Sequence, residues 1–445
     1  MALNQEGGNP SSGGGIHGGL DLWVDAIRLG NPEIAGNVTP MKKPSVWTVF
    51  FVVFIDLIGF GVVLPLLPIY TERFGANGWW LGLITASYSL MQFIFSPMWG
   101  KLSDRVGRRP ILIMSTAGVG ASYFLFAWGS SLEGKTALGV ILVSRLLGGF
   151  FAANISVAQA YIADITSPAE RTRKLGLIGM AFGCGFILGP AIGALAARGG
   201  LWMPGVVAGS ICVANIFFAF FKLPESLPAE KRGAVRREGR FAHFREVMGR
   251  QGVGFLIGLT FITTVCFACF EVALGLLIKD NLDLNEEQTR EYAGWLFAYC
   301  GLIGAFVQGR GIGFLLDKLG HKRLIILSLV TYAISLFILP FARDLVTILI
   351  GLAILGFGST AFRPPVTGMI SMLTPVNEQG ATLGVSQSMA SLARSFSPFL
   401  VAPMYFKISP AAPFVLCGVL SILAGAVAAW KLAVPEHEKG NTPQA

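Results

Sequence analysis

The chain has 445 residues, 53% of them hydrophobic and only 13% charged, with 34 Phe, 56 Gly and a mean hydropathy of +0.64. That apolar excess is more than a soluble core needs or a soluble surface can hide, so an ordinary soluble domain is excluded. The formal charge of +9 would suit a nucleic-acid ligand, but the bases sit in short segments between apolar runs; the basicity is a matter of membrane orientation, and no nucleic-acid partner is expected.

Residues 1–45 are Gly/Ser-rich, hold no apolar core and are read as a disordered tail, with LDLWVDAI (20–27) the stretch fit for a short interfacial helix. No cleavable signal peptide is expected, and the first apolar run would serve as an uncleaved insertion signal. Twelve apolar runs follow, at 46–70, 80–100, 110–129, 136–162, 175–197, 203–222, 252–278, 292–314, 323–342, 345–370, 382–406 and 411–431. A bilayer core takes about 20 residues of helix, and these runs are too long and too uniformly apolar for barrel strands. An all-α, multi-pass protein of twelve transmembrane helices is predicted. The polar stretch 223–251 divides it into six-helix halves, 46–222 and 252–433, and 434–445 forms a second short tail. Most Lys and Arg fall between alternate runs, which predicts both termini in the cytoplasm of a cell-membrane protein, inner or plasma. The six cysteines (184, 212, 266, 269, 300, 417) all lie within predicted spans and read as packing residues, Cys266–Phe–Ala–Cys269 included.

The decapeptide after Gly100 gathers Lys101, Asp104, Arg105, Arg108 and Arg109 between two apolar runs, as GKLSDRVGRRP. GFLLDKLGHKR at 313–323 repeats its Gly, Asp and Gly as Gly313, Asp317 and Gly320, followed by Arg323, at an offset of 213 residues. A second pair agrees: Leu175–Gly176 precedes Gly189–Pro190 by fourteen residues, and Leu383–Gly384 precedes Ser397–Pro398 by the same interval. Matched features at nearly one offset predict an internal duplication. Two six-helix halves around a midplane site is a secondary-transporter architecture.

On these residues the sequence resembles the major facilitator superfamily, within it the drug:proton antiporters that include tetracycline-type efflux proteins. The motif G-x-L-x-D-R-x-G-R-[KR] between spans two and three is matched by Gly100, Leu102, Asp104, Arg105, Gly107, Arg108 and Arg109. The fifth-span antiporter motif is matched by Gly185, Gly189, Pro190 and Gly193, with Ala194 in place of its last glycine; FIDLIGFGVVLPLLP (54–68) is similar to a tetracycline exporter's first span, and Arg145 stands near the outer end of span four as in the family. The resemblance covers residues 46–433. It implies alternating access, export of a small organic molecule against protons, and a charged hairpin that stabilises the outward-facing state, with Asp164 at the end of span four among its partners. The repeat at 313–323 would be a weaker second latch, lacking the double arginine.

Charge inside a span is costly and marks function. Asp56 in span one and Glu271 in span seven are the deep carboxyls and the candidates for proton coupling, each also readable as half of a structural ion pair. Arg145, Arg363 and Arg394 are the deep cations, with Gln92, Asn154, Gln159, Gln308 and Gln387 as polar neighbours. His17, His243, His321 and His437 all fall in tails or loops, so the coupling proton is expected on a carboxyl. Gly189–Pro190 predicts a kink in span five, and its small residues predict a close approach to a helix of the other half. Phe60, Tyr88, Phe93, Phe267, Phe270, Phe297 and Tyr299 are candidate cavity aromatics. No Walker loop, GxSxG or HExxH stretch occurs, so no enzyme, cofactor or metal is expected. The expected partners are the lipid bilayer, a small organic substrate and protons, with the chain a monomer. A sugar or metabolite symporter or facilitator, and a non-transporting receptor or scaffold, remain as alternatives; the span-five motif argues against the first and the intact charged hairpins against the second.

Overall fold

The computed structural model describes residues 45–63, 74, 78–152, 154–228, 230, 232 and 240–432. The two predicted tails with 20–27, the outer part of the first run, the outer turn around 75 and residues 233–239 of the linker lie outside the described residues, as does the Asn154 side chain.

The first half is α1 (Val46–Val63), α2 (Gly78–Val106), α3 (Arg108–Ser130), α4 (Gly134–Phe151) with α5 (Asn154–Ile165), α6 (Pro168–Ala197) and α7 (Met203–Lys222). A short linker helix, α8 (Arg240–Gly249), precedes the second half: α9 (Val253–Leu282), α10 (Glu286–Phe306), a π-turn (Val307–Gly311), α11 (Ile312–Ile338), α12 (Leu345–Met372), α13 (Gln379–Lys407) and α14 (Ala412–Lys431). Among the described residues, nine stretches are long and apolar enough to cross a membrane unaided. One of them, 291–341, holds spans eight and nine, which meet at Gly320 with φ 68°. Two further spans, α2 and α13, fall outside this group; their apolar residues are interrupted by Ser and Gln, and Ser388 and Ser391 of α13 bond to Phe93 O and Gln92 of α2. Twelve transmembrane helices result, α4 and α5 together forming span four.

The packing repeats. In the first half span one packs on five and six, two on four, and three on four and six. Adding six to each number gives the contacts of the second half: seven on eleven and twelve, eight on ten, nine on ten and twelve. The seam obeys the same rule, span two lying on eleven and span five on eight. Each half has its own apolar core, one around Val53, Trp99 and Tyr161, the other around Phe270, Tyr332 and Phe414. Phe270 is buried in that second core with Phe297 against it, so it does not line a cavity between the halves.

Span four breaks after Phe151, a feature without a sequence signal. The carbonyls it frees are taken by side chains: Trp99 Nε1 donates to Phe150 O, Ser115 Oγ to Phe151 O and Gln92 Nε2 to Ala152 O. In lipid such satisfaction is obligatory. Asp344 caps span ten, accepting from the N–H and Oγ1 of Thr347, which holds its carboxyl below the ordinary range.

The small residues of span five divide between two neighbours. A side chain at Gly185, Gly189 or Gly193 would run into Leu57, Gly61 or Val62 of span one, within the same half. The expectation that the small residues of this span approach a helix of the other half is therefore corrected for Gly185, Gly189 and Gly193, whose partner is span one because that face of α6 turns inward. The other half is met by Gly176, Gly179 and Gly183, which lie against Gln308 and Gly301 of span eight.

Candidate functional site

The seam carries two layers of polar residues, one at the end of the bundle holding the 100–109 turn and one at mid-depth. At that basic end α2 and α3 are separated by Gly107 alone, at φ 116°, a conformation other residues resist. The tight turn brings Arg108 back onto Asp104, with Nη1 2.5 Å from Oδ1, while its Nε donates to Asp164 Oδ2 at 3.0 Å and Nη1 to Ser103 Oγ at 2.7 Å. Arg108 and Asp104 have fully buried side chains. Asp104 also crosses the seam: its oxygens accept the N–H groups of Gly380 (3.0 Å) and Ala381 (2.8 Å), in the first turn of span eleven. A carboxylate there meets the positive end of the helix dipole. The approach needs bare backbone, since a Cβ on Gly100 would collide with the Gly380 carbonyl.

Arg105 is exposed, and Arg109 turns away to donate to Phe220 O at 2.7 Å and stack over its ring. Glu225, in the Pro224–Glu225–Ser226 stretch after span six, accepts the N–H groups of Arg108 and Arg109, and Ser226 Oγ donates to Asp164.

The second copy is built differently. Asp317 accepts both its contacts from Nη2 of Arg173, in the first turns of span five, at 2.8 and 2.9 Å; Gly313 leaves room for that arginine's stem. Asp317 and Arg173 are 69% and 50% exposed, so the pair contributes about 0.2–1 kcal/mol. Arg323 is exposed and stays out of the cluster. Beside it His321, only 5% exposed, shares a 2.7 Å hydrogen bond with Thr172 of the first half. Position in a loop hid this residue from the sequence; the positive φ of Gly320 is what turns it inward.

At mid-depth Arg394 of span eleven donates to Gln92 Oε1 of span two at 2.9 Å, and Ser391 Oγ donates to the same oxygen at 2.6 Å. Ser388 Oγ reaches Phe93 O, also across the seam. Arg394 is in turn the charge that acts on Glu271 of span seven. Arg363 of span ten donates to Gln387 Oε1 at 3.4 Å and lies over the Phe182 ring of span five. Arg145 sits 4.6 Å over the Tyr88 ring, which packs at a tilt against Phe60. Asp56 is turned into the first half, accepting from Asn215 Nδ2 at 2.7 Å and Thr116 Oγ1 at 3.1 Å. The expected carboxyls are thus separated: Glu271 borders the seam, Asp56 lies among spans one, three and six. The cysteines are free thiols, with Cys266 packed against Ser421 and the Cys417 carbonyl.

Comparison with known proteins agrees with this geometry. The family model described as Major Facilitator Superfamily matches residues 49–312 and 256–445. The chain is 27% identical to multidrug resistance protein 2 of Bacillus subtilis over 386 residues, covering 85% of this chain and 93% of that protein. It is 29% identical over 361 residues to the class C tetracycline resistance protein of Escherichia coli, covering 79% and 87%. The crystal structure titled human organic anion transporter MFSD10 (TETRAN) superposes with a TM-score of 0.74 at 25% identity, over 86% of this chain and 98% of that one. The proton:xylose symporter XylE shares the fold, with a TM-score of 0.70 at 18% identity over 87% and 95%. A twelve-helix bundle with repeated contacts, a buried Asp–Arg–Asp cluster at one end and a family match over nearly its whole length identify the chain as a member of the major facilitator superfamily of membrane transporters.

Proposed function

We propose that the protein is a proton-coupled antiporter that exports small organic molecules by alternating access, with Glu271 and Asp56 as the coupling carboxyls. The observation that carries this reading is the Arg394–Gln92 hydrogen bond across the seam, with Glu271 the carboxyl whose charge acts on Arg394. A carboxyl deep in span seven acts on an arginine whose guanidinium is bonded across the seam. Protonating Glu271 removes the charge that balances Arg394, and the guanidinium must then draw on the seam or on a bound molecule. Proton occupancy and the packing of the halves become two readings of one equilibrium. Drug-efflux relatives support the direction of transport. The basic end is the cytoplasmic end in this reading, by the Lys/Arg bias, so the closed Asp104 cluster corresponds to an outward-facing protein. Asp56 supplies a carboxyl to the first half, held by Thr116 and Asn215.

The test is a screen in everted membrane vesicles, recording collapse of an imposed pH gradient as amphipathic compounds are added. Compounds that collapse it with the wild type are expected to do nothing with Glu271→Gln, and to lose uphill export with Asp56→Asn, at equal expression. Undiminished proton movement in both variants would contradict the assignment.

A further inference from the structure

The two polar layers of the seam are joined by one short helix. α5 carries Asp164 at its basic end, where the carboxylate accepts from Arg108 Nε and from Ser226 Oγ, each at 3.0 Å. Its other end begins at the break in span four, beside the mid-depth layer. Twelve residues of helix cover about 18 Å. Along that length Val157, Ala158, Ala160, Tyr161 and Ile162 are buried completely, and the helix packs on span eleven of the second half. A close-packed helix of this kind moves as a body, pivoting where side chains interrupt its hydrogen-bond ladder.

That pivot is the turn after Phe151, where Ala152 leaves the helical region at ψ 60°. Trp99 and Ser115, which hold the Phe150 and Phe151 carbonyls, are first-half residues holding a first-half turn. Gln92 differs, because its amide faces both ways. Nε2 donates to Ala152 O at 3.2 Å, while Oε1 accepts Arg394 Nη2 and Ser391 Oγ from the second half. The side chain is only 3% exposed, so either end is costly to leave unpaired. A planar amide cannot serve the seam and the break together unless the two halves are in register.

We propose that Gln92 is a positioning residue that couples the mid-depth layer to the basic-end cluster through the break in span four. α5 is the lever, and Asp164 its working end. When span eleven withdraws at mid-depth, Gln92 Oε1 loses both donors and the amide turns away from Ala152 O. α5 then pivots and draws Asp164 off Arg108. Opening that starts at the basic end runs the same path in reverse. The proposal rests on the alternating-access reading above and adds the path by which the two layers move together.

Spin-label distances in purified full-length protein, at one fixed alkaline pH and with the native cysteines replaced, test this apart from proton coupling. One pair, Glu170→Cys with Lys318→Cys, spans the basic end, and a second, Lys135→Cys with Ser167→Cys, brackets span four; all four positions are exposed. Gln92→Glu carries the test, because beside Arg394 it keeps an acceptor for the seam but offers no donor to Ala152 O. It is expected to raise the open-to-closed ratio at the basic end about fivefold, the effect of one net hydrogen bond, and to shift the span-four distances. Gln92→Leu, which loses both ends of the amide, should do at least as much and replaces Gln92→Glu if that variant is not monodisperse. Asp164→Asn should also open the basic end, and together with the Gln92 variant it should give less than the product of the two single effects. Sites this far apart act independently unless something links them. A basic end as closed as in the wild type, opening without any change in the span-four pair, or a full product of the single effects would overturn the proposal. The expected shifts in a protein that moves no protons would strike only the antiport reading.

Discussion

Asp104 is placed to decide whether the basic end stays shut. One carboxylate accepts two amides of span eleven and meets the buried Arg108, so removing its charge strips partners from both sides of the seam. Asp104→Asn keeps the size but turns a donor toward backbone N–H groups. We expect a shift of about 1–3 kcal/mol against the closed basic end, read as transport slowed severely in a protein that still inserts. Asp317→Asn removes only a half-exposed pair and is expected to cost less than about fivefold in rate. Equal effects of the two would show that burial does not set the hierarchy. The identities of these residues were legible in the sequence because so few charges interrupt the apolar runs. Their partners were not. Nothing in the spacing says that Asp104 binds backbone amides 276 and 277 residues away, or that Arg109 leaves the cluster.

At the scale of elements, span five shows what pattern alone conveys. Its glycines announce close packing, and the structure assigns one face to span one and the other to span eight. Periodicity cannot choose between neighbours when every surface is apolar. Gly179→Ala places a methyl group where the Gln308 amide lies, and we expect a loss of about 1–3 kcal/mol. Thermal unfolding in detergent would read this as a lowered midpoint. Gly82→Ala, which meets open space, should leave the midpoint unchanged or raised, since alanine favours helix. A midpoint for Gly179→Ala equal to the wild type would mean that Gln308 is free to withdraw and does not hold the seam. The break in span four and the linker helix were equally silent in the sequence. The first depends on Gln92, Trp99 and Ser115 arriving from other spans, and the second docks through Val247 and the Arg250–Glu378 pair on the second half.

The whole molecule is legible in outline because lipid imposes one rule, full internal pairing of the backbone over about 20 residues, and the runs obey it. The duplication was visible in two short correspondences and returns as a repeated contact pattern, seam included. What one sequence cannot display is an equilibrium between two packings of the same halves. The seam holds the elements of such a switch: a buried ion cluster at one end, an exposed pair and His321 beside it, and Glu271 acting through Arg394 at mid-depth. The direct measurement is a spin-label distance across the basic end, between Glu170→Cys in the first half and Lys318→Cys in the second, both exposed, with the native cysteines replaced. In the wild type the distance distribution should change with pH, and Glu271→Gln should hold one distribution at every pH. The same pH response in both proteins would contradict proton control of the seam by Glu271.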